Sequence, residues 1–290
     1  MKRWPIVILV TVLALILATA ALSHWKRPTH PNRPAPSGTQ RFITVQPDVE
    51  LEVLDFGGTG RSVVLLAGLG DTAHVFANFA TKLTPTYHVL AITRRGFGLS
   101  SAPASGYTAK RLGDDVVEVI DMLHLARPIL AGHSMAGEEL SSVATFHPEK
   151  IAGLIYLDAG YGYALHDQIY GNREIRVATV VSYIEPLIPA VLENPRVAII
   201  AGQRKFEKLP VPVLAFFATP HDLSAEFKDT GQLAKEEEKD LEHIERQIGA
   251  FQRQVPLAKI VRLPHASHTI YRSNEAEVVN QVNAFISSLH

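Results

Sequence analysis

PILAGHSMAG, residues 128–137, is an apolar run that ends in Gly-His-Ser-Met-Ala-Gly and leads straight into a helical pattern over 135–146. A serine at the apex of a sharp strand-to-helix turn is held in a strained backbone conformation, and the turn closes only if the residues two before and two after it are small. Gly132 and Ala136 meet that need; Ala136 departs from the more frequent glycine but keeps the size. A helix starting at Met135 would aim its first backbone N–H groups and its dipole at the space above Ser134, where a developing negative charge can use them. The competing reading is a serine that merely caps an ordinary helix. What else the chain gathers around this turn decides between the two.

Working outward, short continuous apolar runs at 63–67, 88–92, 129–131, 153–157, 213–217 and 260–263 read as strands buried on both faces. Helical patterns at 73–83, 108–125, 135–146, 233–254 and 274–289 lie between most of them. Alternating strand and helix implies parallel pairing with right-handed crossovers, hence an α/β fold with a doubly wound, mostly parallel sheet. Ahead of this, 41–45 and 51–56 alternate apolar and polar residues around Pro47-Asp48, as an antiparallel hairpin with one wet face does. About fifty residues separate the strand ending near Asp158 from the one starting at Val211, too many for an ordinary connection. Their aromatic and aliphatic content predicts a small helical lid over about 160–210, inserted after the sixth strand and shaping a substrate pocket. KEEEKDLEHIERQ, 235–247, pairs opposite charges at helical spacing and reads as a solvated helix face.

At this point the chain resembles the α/β-hydrolase superfamily, of the serine-nucleophile type, over nearly all of 41–290. VVLLAGLG, 63–70, is similar to the family's strand followed by His-Gly, with Ala67 in place of the histidine and Gly68 retained. The resemblance implies an oxyanion hole built from the backbone N–H groups of Leu69 and Met135, with Gly70 a substitute if the loop is shifted by one. ITRRGFGLS, 92–100, is similar to the family's Asp-x-Arg-Gly-x-Gly-x-Ser loop, with Arg94 near the usual aspartate, and reads as structural.

Serine needs a base to take its proton and an acid to orient that base. The resemblance puts the base at His268, in RLPHASHTIYRSNEAEVV after the last strand, with His265 as its rival. It puts the acid at Asp222, after the penultimate strand in VPVLAFFATPHD, with Asp158 in LIYLDAG as the rival; a few relatives place the acid there. His133 and His74 flank the expected pocket as structural or substrate-lining groups.

Composition narrows the function classes. Hydrophobic residues are 47% and charged residues 20%, enough to bury a sheet and too little charge for a disordered chain. Lysine and arginine number 28 against 29 acidic residues, so no global field holds a polyanion and nucleic acid is not an expected partner. The absence of cysteine excludes disulfides, thiolate metal sites and a cysteine nucleophile. Scattered histidines, with no His-Glu-x-x-His spacing, phosphate loop or dinucleotide fingerprint, imply neither a metal nor a cofactor. At the N-terminus Lys2 and Arg3 precede an uncharged apolar run over 5–22 flanked by Trp4 and Trp25. Residues 1–25 therefore read as a membrane anchor, or as a signal peptide cleaved after Ala18-Thr19-Ala20, and 26–40 as a proline-rich linker. Either way the expected localisation is outside the inner membrane, as an anchored domain or a secreted or periplasmic one.

Together these readings describe a serine hydrolase cleaving an ester-like or related acyl bond of a small molecule. The alternative from another class is a binding protein that keeps the fold without catalysis.

Overall fold

The computed structural model describes residues 38–166, 194–207 and 209–289. Thus the N-terminal segment and its linker, and the centre of the expected lid, lie outside the described residues. Among the described residues no helix is long and apolar enough to cross a membrane.

Eight strands form one sheet in the order β1-β2-β4-β3-β5-β6-β7-β8. The first two, β1 (Thr39–Gln46) and β2 (Val49–Gly57), make the expected hairpin, and β2 also runs antiparallel to β4 (His88–Ile92). From there β3 (Ser62–Leu66), β5 (Ile129–His133), β6 (Gly153–Leu157), β7 (Val213–Ala218) and β8 (Lys259–Leu263) pair in parallel. All parallel strands therefore end on the same edge, where their following loops can meet.

The helices are α1 (Ala77–Leu83), α2 (Ala109–Met122), α3 (Gly137–Phe146), α4 (Tyr161–His166), α5 (Pro195–Ala201), α6 (Thr230–Gln254), α7 (Ile270–Ser273) and α8 (Glu275–Ser287). Alternate side chains of each strand point to opposite faces, so the continuous apolar runs feed two cores. Val64, Leu130, Tyr156 and Phe217 pack with Val116 of α2, Leu140 of α3 and Ile248 of α6. Val63, Ile129, Ile155 and Phe216 pack with Phe79 of α1 and Val282 of α8 on the other face. The layers are those of a doubly wound sheet.

Several boundaries move for local reasons. The expected helix over 73–83 is a 3-10 turn, Ala73–Phe76, followed by α1. The last helix, expected over 274–289, is α8, and a further short turn, α7, precedes it. α6 starts three residues before the expected Leu233 because the Asp229 side chain accepts the Gln232 N–H at 2.7 Å and caps it there. Of the span expected as a lid, the described residues at its two ends form α4 and α5, and its centre lies outside the described residues.

Phe251 ties the pieces near the site to the sheet. Its ring meets those of Tyr156 on β6, Tyr163 on α4 and Phe217 on β7 edge-on, at centroid distances of 5.1, 4.8 and 5.7 Å. Such contacts add to the area the ring buries. Phe251→Ala is therefore expected to cost about 3–5 kcal/mol in a urea unfolding titration, with α6 loosened from the sheet.

Candidate active site

β5 runs directly into the turn that carries Ser134, which has φ 54°, a left-handed conformation that a serine adopts only under constraint. A Cβ at Gly132 would lie 3.0 Å from the Ala136 Cβ and 3.0 Å from Leu140, so the turn accepts alanine at 136 because 132 has none. Across the cleft, a Cβ at Gly68 would lie 2.9 Å from His133 Nδ1 and 3.3 Å from the Ser134 Cβ. Only glycine lets the loop after β3 come down over the serine. Leu69 and Met135 follow these two points, and their side chains share one apolar cluster with Tyr161 of α4 and Ile199 and Ile200 of α5.

That loop is held from below by Arg94. Its guanidinium donates to the Ala67 carbonyl at 2.8 Å and the Gly68 carbonyl at 3.3 Å, and grips Glu139 of α3 through two bonds of 2.6 and 2.7 Å. Arg94 and Glu139 are both buried. One fork thus locks the β3 loop to the helix that begins at the serine turn, a planar bidentate arrangement that lysine could not reproduce.

His268 lies beside the turn. The His133 ring, one residue before Ser134, packs against the His268 ring at 4.6 Å between centroids, and His133 Nε2 is 3.0 Å from the His268 carbonyl oxygen. Since a carbonyl only accepts, His133 carries its proton on Nε2. Burial, with the His268 charge adding, pulls the His133 pKa down to about 3. It is a neutral prop that fixes the His268 backbone, in keeping with the structural role read from the sequence. His74 is likewise structural, 2.9 Å from Glu52 Oε1, and His265 is exposed on the far side of its loop, 3.5 Å from Glu237.

The carboxylate beside the His268 ring is not the expected Asp222. His268 Nδ1 is 2.6 Å from Asp158 Oδ2, at the end of β6. Asp222 is exposed, and its carboxylate instead caps its own loop by accepting the Ser224 N–H at 2.9 Å. The carboxylate that reaches the ring is the buried one. Asp158, with φ 51°, turns back under the site, and its Oδ1 accepts the Ala218 N–H at 3.1 Å. Burial alone would raise its pKa, but hydrogen bonds and charge from His221 and His268 outweigh it and hold the carboxyl well below the usual range.

Sequence reasoning missed His221. Its Nε2 lies 2.9 Å from Asp158 Oδ2, and its Nδ1 and backbone N–H lie 3.0 and 2.7 Å from Asp240 Oδ2. The signal was in plain view, since the residue stands directly before the expected acid in the ATPHD stretch. Asp158, His221 and His268 also form the cluster among the described residues whose donor atoms, all within 4.8 Å, could meet at a metal ion. Separations of 2.6 and 2.9 Å are those of shared protons, and an ion would have to displace both.

With the geometry in place, comparison with known proteins gives the class. The chain belongs to the alpha/beta hydrolase family, whose model matches residues 63–281. It is 31% identical over 134 residues to a 2-hydroxy-6-oxononadienedioate/2-hydroxy-6-oxononatrienedioate hydrolase of Cupriavidus pinatubonensis, covering 43% of this chain and 46% of that one. It is 28% identical over 101 residues to the 2-(acetamidomethylene)succinate hydrolase of Mesorhizobium japonicum, covering 35% and 36%. The chain thus matches less than half the length of these curated relatives. The epoxide hydrolase of Bacillus megaterium shares the fold, with a TM-score of 0.65 at 17% identity over 86% of this chain and all of the other.

Beside Glu139, the helix after the serine turn carries another buried acid. Glu138 on α3 accepts the Arg204 N–H at 3.4 Å, and burial, only partly offset by Arg204, pushes its pKa up to about 8. A folded-state pKa above the unfolded value means that the native state binds its proton more tightly. The stability tied to that proton is complete below the ordinary 4.5 and is lost as pH rises through about 8. Glu138→Gln should match the wild type within about 1 kcal/mol at pH 5 and exceed it at pH 9 in paired urea titrations.

Proposed function

We propose that this protein is a serine hydrolase that cleaves an ester-like or related acyl bond of a small molecule through an acyl-enzyme. The observation that carries the reading is the left-handed serine turn beside a histidine whose Nδ1 is engaged by a buried carboxylate at 2.6 Å. In this reading Ser134 is the nucleophile, His268 the base and Asp158, in place of Asp222, the acid. With Nδ1–H committed to Asp158, His268 Nε2 takes the Ser134 hydroxyl proton as Oγ attacks the carbonyl carbon. The N–H groups of Leu69 and Met135 receive the oxyanion, each worth roughly 3–4 kcal/mol in the transition state. Collapse expels the alcohol, which leaves with the proton from His268. Water, deprotonated by the same nitrogen, then splits the acyl-enzyme and regenerates the serine.

Two relatives, named as hydrolases of 2-(acetamidomethylene)succinate and of 2-hydroxy-6-oxononadienedioate or 2-hydroxy-6-oxononatrienedioate, support a small-molecule substrate. No cofactor enters the cycle. The N-terminal run and its positive flank support a further proposal, that the domain acts outside the inner membrane, anchored or released after cleavage.

A fluorophosphonate probe should label the folded wild type, and Ser134→Ala should abolish labelling and p-nitrophenyl ester cleavage. Asp158→Asn should lower kcat by roughly 10⁴-fold, through the wrong histidine tautomer, while Asp222→Asn stays near the wild type. An unlabelled, folded wild type that cleaves no short ester would end the reading; a silent Asp158→Asn with an inactive Asp222→Asn would return the acid to 222.

A further inference from the structure

We propose that His221, clamped by Asp240, is a positioning residue of the site: as an imidazolium it keeps the Asp158 carboxylate ionised and aimed at His268, and it tunes the base by its charge. The inference rests on the reading of Ser134, His268 and Asp158 as nucleophile, base and acid.

The protons can be assigned by elimination. Both His221 ring nitrogens face carboxylate oxygens, Nε2 at 2.9 Å from Asp158 and Nδ1 at 3.0 Å from Asp240. With both carboxylates ionised, each only accepts, so both nitrogens donate and the ring carries a full positive charge. Burial would discharge the ring, yet the two aspartates outweigh it and raise its pKa to about 10. Asp158 in turn is 7% exposed and receives three donors, the N–H of Ala218 and one nitrogen from each histidine. A buried carboxylate needs such compensation to stay charged.

The clamp is built by three elements. His221 follows β7, and its bridge to Ala266 extends the β7 and β8 pairing to the edge of the site. Asp240 comes from α6, which Phe251 fixes to the sheet. Asp158 comes from β6. The charged groups around the ring are therefore Asp158, Asp240, the His268 ring at 6.0 Å and, outside them, exposed Asp222 and the Glu237–His265 pair. His268 is faced by Asp158, His221 and neutral His133, with Arg272 beyond. A cation 6.0 Å from the base opposes its protonation, so the base stays neutral to lower pH than the aspartate alone would allow. The end of β7, where the family resemblance placed an acid, here carries the counter-charge of an acid moved one strand over.

His221→Gln keeps a donor toward Asp158 and removes the charge, and Asp240→Asn removes what holds that charge. In full-chain protein the acid limb of kcat/KM should move up by about one pH unit in His221→Gln, and less far in the same direction in Asp240→Asn. Activity at the alkaline plateau should stay within about tenfold of the wild type. A merely structural role would lower the plateau and leave the limb in place. Independently of turnover, ¹⁵N resonances of the imidazoles should show both His221 nitrogens protonated through pH 8 in the wild type, and a raised His268 midpoint in the variants. If His221→Gln does not fold, Asp240→Asn decides. A neutral His221 ring at pH 7, or a base that titrates at the wild-type pH in every folded variant, overturns the proposal. Because the resonances need no catalysis, an inactive wild type would sink the hydrolase reading and still leave this one to be judged.

Discussion

A serine forced into left-handed backbone, φ 54°, between a buried strand and a helix is the constraint on which the rest of the site depends. The conformation is costly for a residue with a side chain, so it survives only where its surroundings over-determine it. Here they do. Gly132 yields space to Ala136 inside the turn, Gly68 lets the facing loop approach to contact, and the Arg94 fork binds that loop to the helix behind the serine. The hydroxyl and the two candidate oxyanion amides are thus fixed by one buried framework.

That framework explains what could be read in advance. Strands β3 to β7 were legible because both faces of the sheet are covered there, which forces continuous apolar runs that are hard to mistake; β8, read as buried on both faces, is the edge strand and leaves Lys259 and Arg262 exposed. The serine turn was legible because its sterics dictate small residues at fixed offsets. The position of His268 beside that turn was legible from its place between the last strand and the final helices. The carboxylate partner of that ring was not, because strand ends β6 and β7 both offer an aspartate and chain position does not say which one faces the ring. The decision lies in burial and partners: Asp158 is enclosed and receives three donors, while Asp222, a neighbour of the ring only in sequence pattern, faces water. The histidine directly before Asp222 went unread, and only the fold shows Asp240, nineteen residues after it on a helix read as a solvated charge run, completing the clamp. That helix face is not wholly solvent's.

Two of the buried charge systems flank the serine turn and have opposite tasks. Arg94 and Glu139 form a closed pair that transmits position and moves no proton. Asp240, His221, Asp158 and His268 form an open series of alternating sign that ends at the nitrogen where a proton is expected to travel. Buried ion pairs seldom add net stability over a well-packed apolar core. Their presence on both sides of the serine is better understood as a demand for fixed geometry than as a source of folding energy.

The first residue of α3 carries a last consequence. A Cβ at Gly137 would strike the Ala159 carbonyl oxygen, so the helix after the serine turn and the bend after Asp158 rest backbone on backbone. Two loops that look like independent modules in the chain behave as one casting. Grafting either alone from a relative would import a mismatch at that seam, so recombination among such enzymes should succeed when the crossover keeps residues 132–160 as a single block.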